Sequence, residues 1–177
     1  SGGGPIIDIG VHRIDAAWYL MGCPKPVRVS ANVFTEIGDY QTKGVGRWQG
    51  TPCPDNKFDC EDSGAGVIHF ENGAVMVFEA SWAINCESKS ETVICGTKAG
   101  ALVEPLTIYG ERNEYLSTDQ ITVDTSGDRF KLEIEHFADH VLRGDRNTKY
   151  PIEQAVQMQQ MLQGIYDSAA AGREIVL

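Results

Sequence analysis

Residues 64–82 read GAGVIHFENGAVMVFEASW, a pattern that predicts a β-hairpin. Two apolar runs, GAGVIHF and VMVFEASW, flank the segment Glu71–Ala74, whose Asn-Gly pair is a strong short-range hairpin signal. With the three residues before it, we expect the hairpin to occupy 61–82. Because consecutive hairpins build an antiparallel sheet, this stretch sets the expected fold.

Short strands are predicted on both sides of this hairpin. Residues 27–35 alternate apolar and polar side chains, as a strand with one buried face does. Further along the chain, strands are expected at 91–96, 101–104, 106–109, 114–117 and 120–123, with turns at 97–100 and 110–113. A last strand or tail is expected at 174–177.

Three segments repeat apolar residues at the spacing of a helix, and they are expected to be helical over 5–21, 128–143 and 152–171. Their apolar stripes are Ile7, Val11, Ile14 and Trp18 in the first helix, Phe130, Ile134, Phe137 and Val141 in the second, and Ala155, Met158, Leu162, Ile165 and Ala169 in the third. The order of helix, strands and helices predicts an α+β fold, with an open, mostly antiparallel β-sheet and helices packed on one face. The pattern shows no domain boundary within residues 1–177.

The charge and composition of the chain argue against several classes of partner. Its 25 acidic and 15 basic residues give a net charge of −10, and an acidic surface repels phosphate backbones and anionic lipids. No apolar run approaches the roughly 20 residues that span a bilayer. The five cysteines form no C-x-x-C pair, and their odd number favours reduced thiols. We therefore expect a cytoplasmic protein that binds neither nucleic acid nor a membrane.

Asp8 and His12 form the strongest candidate site. They lie four residues apart on the first predicted helix, so the carboxylate and the imidazole share one face. Asp15, three residues beyond His12, can reach the imidazole ring and fix its tautomer. Such a trio can act as a general base toward a hydroxyl proton. The spacing by itself favours an ordinary helix with surface charges, since D-x-x-x-H is common by chance.

Residues 36–60 are expected to form a long loop rich in glycine and proline, and loops of this length are usually functional or disordered. Within it, Trp48 can stack on a sugar face and Arg47 can bind hydroxyls or a carboxylate. A plain surface loop is the alternative. The segment GVGRWQG at 44–50 is not a dinucleotide fingerprint, because its spacing is wrong and no βαβ unit surrounds it. Trp82, at a strand end, is expected either in the core or at the border of a substrate pocket.

His136 and His140 also lie four residues apart, which is the spacing of half a zinc site. No third ligand follows at a recognisable spacing, and both residues flank the apolar stripe of the second helix. We therefore interpret them as a solvated helix boundary and predict no metal site.

The segment GGGPIIDIGVHRID at 2–15 resembles the G-G-G-x-x-x-D-x-G-x-H-x-x-D signature of one oxidoreductase family. That signature opens the C-terminal domain of the glucose–fructose oxidoreductase / inositol dehydrogenase / rhizopine-catabolism (Gfo/Idh/MocA) family. Further matches follow in order at Glu61-Asp62, Phe70–Gly73, Glu79–Trp82, Glu135–Phe137, Pro151, Ile165–Ala169 and Gly172. The resemblance covers essentially the whole chain, and its ordered set of motifs favours a site at Asp8 and His12.

The resemblance implies an NAD(P)-dependent oxidoreductase acting on a sugar, polyol or related CH–OH compound. It implies that His12 transfers the proton and that Asp8 binds the reacting hydroxyls, beside a lysine of a Glu-Lys-Pro motif that this chain lacks. Residues 1–177 would then be the C-terminal substrate-binding and oligomerisation domain of a longer, two-domain protein. An N-terminal Rossmann domain, absent from this chain, would bind most of the NAD or NADP, so this chain alone is expected to be inactive.

The resemblance also implies that the uncovered sheet face packs against another subunit, in a homo-dimer or tetramer. Two other functions stay open at the level of sequence. The intact protein could be an NAD-dependent glycoside hydrolase of the same fold, which release of an aglycone would reveal. The chain could instead be a stand-alone carbohydrate-binding or oligomerisation module, which a natural gene product beginning near residue 1 would favour.

Overall fold

A computed structural model describes residues 3–37, 58–87, 89–146 and 148–177. The elements in chain order are a π-helical turn Ile6–Gly10, α1 Val11–Leu20, β1 Pro26–Phe34, β2 Ser63–Phe70, β3 Val75–Ser81, β4 Val93–Cys95, β5 Gly100–Leu102, β6 Thr107–Arg112, β7 Tyr115–Gln120, α2 Arg129–Arg143, α3 Ile152–Ala171 and β8 Ile175–Val176. They form two units. The first comprises residues 1–16, 24–88 and 158–177, and the second comprises 17–23 and 89–157.

The first unit is built on an antiparallel sheet with the strand order β3-β2-β1-β8. One face of this sheet is buried under the C-terminal part of α3, and Gly164 brings that helix close to Val29. Ser168 joins the two layers, since its Oγ accepts from the Ala31 N–H at 2.9 Å and donates to the Arg173 carbonyl at 2.7 Å. The core consists of Ile6, Ile14, Val29, Ala31, Ile68, Phe70, Met76, Phe78, Ala80, Met158, Met161, Leu162 and Ile165.

The hairpin predicted at 61–82 is confirmed as β2 and β3, paired from Ser63↔Ser81 to His69↔Val75. Gly73 takes a φ of +84°, the left-handed conformation that the Asn-Gly turn requires. The Asn72 side chain stabilises the same turn by accepting from the Ala74 N–H at 3.0 Å. Along β3, buried residues alternate with exposed ones, so this strand has one covered and one open face.

The second unit contains a separate antiparallel sheet with the strand order β4-β5-β6-β7. The turn between β6 and β7 lies at Asn113 and Glu114, which both have positive φ, and not at Gly110, which lies inside β6. The separate strand predicted at 120–123 is wrong, because β7 extends to Gln120 and the next residues have no regular structure. The two central residues of the turn can adopt positive φ, and this lets both strands run longer than the sequence pattern indicates.

The first helix begins with a π-helical turn, in which the Val11 N–H donates to the Ile6 carbonyl. Because a π turn holds more residues than an α turn, the buried positions shift. The sequence predicted that Ile7 and Val11 are buried. Ile6 and Gly10 are buried instead, and Ile7 is 44% exposed. The later part of the predicted stripe is confirmed, since Ile14 and Trp18 are buried.

The two C-terminal helices have almost the predicted bounds. Asp128 caps α2 by accepting from the N–H groups of Phe130 and Lys131, and Gly144 ends it in a left-handed conformation. The stripe of α2 is exposed, from 62% at Val141 to 71% at Phe137. The α+β class is confirmed, with its strands divided between two sheets. In the described part of the chain, no helix is long and apolar enough to cross a membrane.

Candidate functional site

Asp8 lies in the middle of the π-helical turn, at the N-terminal end of the first helix. The turn packs on β3 through Gly10, where a Cβ would come within 3.2 Å of the Ala80 Cβ and 3.3 Å of the Pro5 carbonyl oxygen. Glycine at this position therefore lets the backbone approach the sheet closely. Single π turns inside helices occur often at functional sites, because they redirect one side chain out of the regular α-helical pattern.

Trp82 holds the Asp8 side chain. Its indole N–H donates to Asp8 Oδ2 at 3.0 Å, across 74 residues of sequence. Trp82 directly follows β3 and is 44% exposed, so one part of the ring faces solvent while its N–H is engaged. The structure thus brings together two of the predicted site residues, a carboxylate and an aromatic ring. A fixed carboxylate can accept a hydrogen bond from a ligand, and a partly exposed indole can cover an apolar part of the same ligand.

His12 and Asp15 follow on α1, and both side chains are exposed. Within the described ranges, no hydrogen bond or ion pair joins His12 to Asp15, so the structure does not bring these two predicted partners into contact. The imidazole of His12 is therefore exposed, on the helix that directly follows the turn carrying Asp8. Arg47 and Trp48, with most of the loop predicted at 36–60, lie outside the described residues.

Glu61 is a buried carboxylate beside the start of the same turn. It is 6% exposed, and its Oε1 accepts from the Ile6 N–H at 3.2 Å and from the Tyr166 hydroxyl at 2.7 Å. Burial of the phenol, and then its hydrogen bond to Glu61 and the charge of that carboxylate, raise the pKa of Tyr166 above its ordinary value. The sequence patterns placed Glu61 next to a buried strand but gave no indication of its partners, which come from distant segments.

An open depression of about 440 Å³ lies beside this buried carboxylate. Its lining consists of Gly3, Ile7, Val33, Thr35, Asp59, Cys60, Glu61 and Tyr166. A larger hollow of about 510 Å³ lies at the N-terminal end of α2, lined by residues of 124–132. Neither lining includes Asp8, His12 or Trp82, so the size of a hollow does not by itself identify the functional site.

The imidazoles of His136 and His140 contact each other edge to face, with ring centroids 4.5 Å apart. His140 Nδ1 lies 3.5 Å from Asp145 Oδ2, at the long end of an ion-pair distance. Among residues 3–37, 58–87, 89–146 and 148–177, no group of three or more His, Cys, Asp or Glu side chains is arranged to hold a metal ion.

Together, the fold and the site define an α+β domain that presents a held carboxylate and an open imidazole at one end of an antiparallel sheet. The chain belongs to the Gfo/Idh/MocA oxidoreductase family, because residues 1–177 match the family described as the oxidoreductase family, C-terminal alpha/beta domain. The resemblance seen in the ordered sequence motifs is thereby confirmed.

Known proteins similar to this chain include D-glucoside 3-dehydrogenase of Escherichia coli (strain K12), which is 35% identical over 180 residues, covering 100% of this chain and 50% of the relative. Among solved structures, aldose-aldose oxidoreductase from Caulobacter crescentus, complexed with glycerol, has a TM-score of 0.72 at 20% identity and covers 100% of this chain and 48% of that one. Levoglucosan dehydrogenase in complex with NADH has a TM-score of 0.75 at 20% identity, covering 99% and 50%. At these identities the structural likeness concerns the fold, and the chain spans about half the length of these relatives.

Proposed function

We propose that the whole protein is an NAD(P)-dependent oxidoreductase acting on a sugar, polyol or related CH–OH compound. This chain would be its C-terminal, substrate-binding domain. The observation that carries the proposal is the hydrogen bond from the Trp82 indole to Asp8 Oδ2, on the helix that also exposes His12. The family membership and the similarity to a D-glucoside 3-dehydrogenase support the same conclusion.

The proposed chemistry divides two tasks between Asp8 and His12. Asp8 Oδ2 is held by Trp82, so Oδ1 is left to accept a hydrogen bond from a substrate hydroxyl. His12 takes the proton of the hydroxyl that is oxidised, while its carbon loses a hydride and becomes a carbonyl carbon. Asp15 would support His12 after a change of side-chain rotamer. Trp82 would contact the rest of the substrate, together with Arg47 and Trp48 of the segment predicted from the sequence to be a loop.

The cofactor NAD or NADP accepts the hydride in this scheme, and we propose that the other half of the protein binds most of it. All strand pairs among the described residues are antiparallel, so this part of the chain has no parallel βαβ unit. Such a unit carries the glycine-rich turn that binds a dinucleotide. The net charge of −10 also disfavours binding a pyrophosphate to this surface.

We further propose that the protein forms a homo-dimer or tetramer through the open face of the first sheet. On that face Val77 is 79% exposed and Val75 is 50% exposed, and Val67 lies opposite Val77 on β2. A row of exposed apolar side chains on a sheet is a surface that another subunit can cover. The thiols of Cys60, Cys86 and Cys95 are free, which agrees with the proposed cytoplasmic setting.

The direct test is an assay of the full-length protein with NAD and NADP and a panel of glycosides, free aldoses and polyols. We expect reduction of at least one cofactor by at least one compound of the panel. Release of an aglycone without net reduction would favour the glycoside hydrolase function instead. Sugar binding without either reaction would indicate a binding module, and both results would contradict the proposal.

A further inference from the structure

We propose that Glu61 and Tyr166 form a positioning pair that sets the direction of the Asp8 carboxylate. The pair acts through the π-helical turn that carries Asp8. Its effect on the orientation of Asp8 is a property of this chain, and only its effect on turnover rests on the proposed function.

The start of the π-helical turn is held by a tertiary contact instead of a local cap. Pro5 occupies the N-cap position and makes no side-chain hydrogen bond to the turn. The Ile6 N–H donates instead to Glu61 Oε1, across 55 residues of sequence. A carboxylate at this place also faces the partial positive charge of a helix N-terminus. The position of Glu61 therefore determines where the turn begins.

Tyr166 provides a second restraint on the carboxylate of Glu61. Its hydroxyl donates to the same oxygen, Oε1, at 2.7 Å, and it lies on α3 next to the fully buried Ile165. Because Glu61 is 6% exposed, these two donors replace the water that the carboxylate loses on burial. Without the Tyr166 hydroxyl, the carboxylate has one protein donor fewer and more freedom to rotate.

The open end of the β2–β3 hairpin connects Glu61, which caps the turn, to Trp82, which holds the Asp8 carboxylate. Glu61 lies two residues before β2, and Trp82 directly follows β3. The backbone N–H of Trp82 donates to the Asp62 carbonyl at 2.9 Å, so the two segments are hydrogen-bonded neighbours. The π-helical turn is thus held at its start by Glu61 and at Asp8 by Trp82. If the start of the turn moves, the Asp8 carboxylate approaches the Trp82 indole from a different direction.

The test follows the indole N–H resonance of Trp82 in the full-length protein by NMR, because that proton reports the hydrogen bond to Asp8. A Trp82→Phe variant assigns the resonance. We expect Tyr166→Phe and Glu61→Ala to move it toward the position of a free indole. Glu61→Gln keeps an acceptor oxygen and should leave it near the wild-type position, as should the control Tyr115→Phe, at a tyrosine that is 78% exposed.

An unchanged Trp82 resonance in both Tyr166→Phe and Glu61→Ala would overturn the proposal. Trp18, which is 1% exposed, reports in the same spectra whether the fold is intact. If Glu61→Ala unfolds the protein, Tyr166→Phe decides alone, since it removes a single hydroxyl.

Kinetics of the same variants test the consequence for catalysis. We expect Tyr166→Phe to lower kcat about tenfold with a smaller change in KM, because misplacing a reacting group affects the transition state most. An unchanged kcat would overturn the catalytic part of the proposal. A wild-type protein that reduces no cofactor would instead refute the proposed function and leave the NMR result to decide the positioning role.

Discussion

The two oxygens of the Asp8 carboxylate have different environments. Oδ2 accepts the indole N–H of Trp82, while Oδ1 has no partner among the described residues. A carboxylate held at one oxygen keeps its rotamer, and the other oxygen remains available to a ligand. His12 is exposed on the following helical turn. The proposed site therefore depends on a contact between Asp8 and Trp82, which lie far apart in sequence.

Trp82→Phe removes the hydrogen bond to Asp8 while keeping an aromatic ring. We expect kcat/KM of the full-length protein to fall about tenfold to a hundredfold, since a hydrogen bond to a charged group contributes about 1.5–3 kcal/mol. Steady-state kinetics with the best substrate measures this. The control is Tyr109→Phe in β6, where the residue is also 44% exposed. Equal kinetics of Trp82→Phe and wild type would show that the indole does not serve Asp8.

Tyr166 gives the protein a dependence on alkaline pH. Its pKa is raised above the ordinary 10.0 in the folded state, so the contact with Glu61 contributes its full stability below pH 10. That contribution is lost as the pH rises through the higher folded-state pKa. We expect the stability difference between wild type and Tyr166→Phe, measured by urea unfolding, to shrink at alkaline pH. Tyrosinate absorbance should show that the variant lacks a phenol that ionises above the ordinary pKa of tyrosine, and identical absorbance titrations at high pH would contradict the assignment.

At the scale of the element, the π-helical turn separates what the sequence could predict from what it could not. The helix itself, its end at Gly22 and the burial of Ile14 and Trp18 follow from apolar spacing. Apolar spacing does not predict that Ile6 is buried in place of Ile7, because the turn that buries Ile6 is capped by Glu61, 55 residues away in sequence. The pair Asp8 and His12 was predicted from local spacing, whereas the contact of Asp8 with Trp82 required the tertiary structure.

Gly4→Ala tests the close approach between the turn and Glu61. A Cβ at this position would overlap the Glu61 carboxyl group and its backbone oxygen, whereas a Cβ at Gly3 would meet Ile7 at an ordinary 3.4 Å. We expect Gly4→Ala to destabilise the protein by about 1–3 kcal/mol, as overpacking does. Gly3→Ala is the matched control and should change stability little. Chemical denaturation measures both, and equal stabilities would show that the turn does not press on Glu61.

At the scale of the whole molecule, the sequence predicted the α+β class but not the division of the strands between two sheets. Among the described residues, the short strands β4 to β7 pair only with their sequence neighbours. Their sequence pattern therefore looks like a continuation of the hairpins of the first sheet. Val77 and Leu116 are large apolar residues on two different sheets, and both are exposed. Exposure of this kind is typical of a domain that meets other domains or subunits.

Val77→Lys tests the proposed oligomer interface. A charge on the open face of the first sheet should prevent a second subunit from burying that face. We expect the full-length protein to change from a dimer or tetramer to a smaller species in light scattering after size-exclusion chromatography. The control is Thr118→Lys on β7, which places the same charge at an exposed polar residue of the other sheet. A variant with the wild-type mass would exclude this face as the interface.

The most direct test of the central claim is the turnover number of the full-length protein carrying Asp8→Asn together with His12→Ala. We predict a loss of about a hundredfold to ten-thousandfold, the range in which a positioned acid–base group contributes. The control is the double variant Glu71→Gln with His69→Gln, which changes a carboxylate and an imidazole elsewhere in the first unit. Its turnover number should stay close to that of the wild type. An unchanged turnover number in the Asp8 and His12 variant would contradict the assignment of the site.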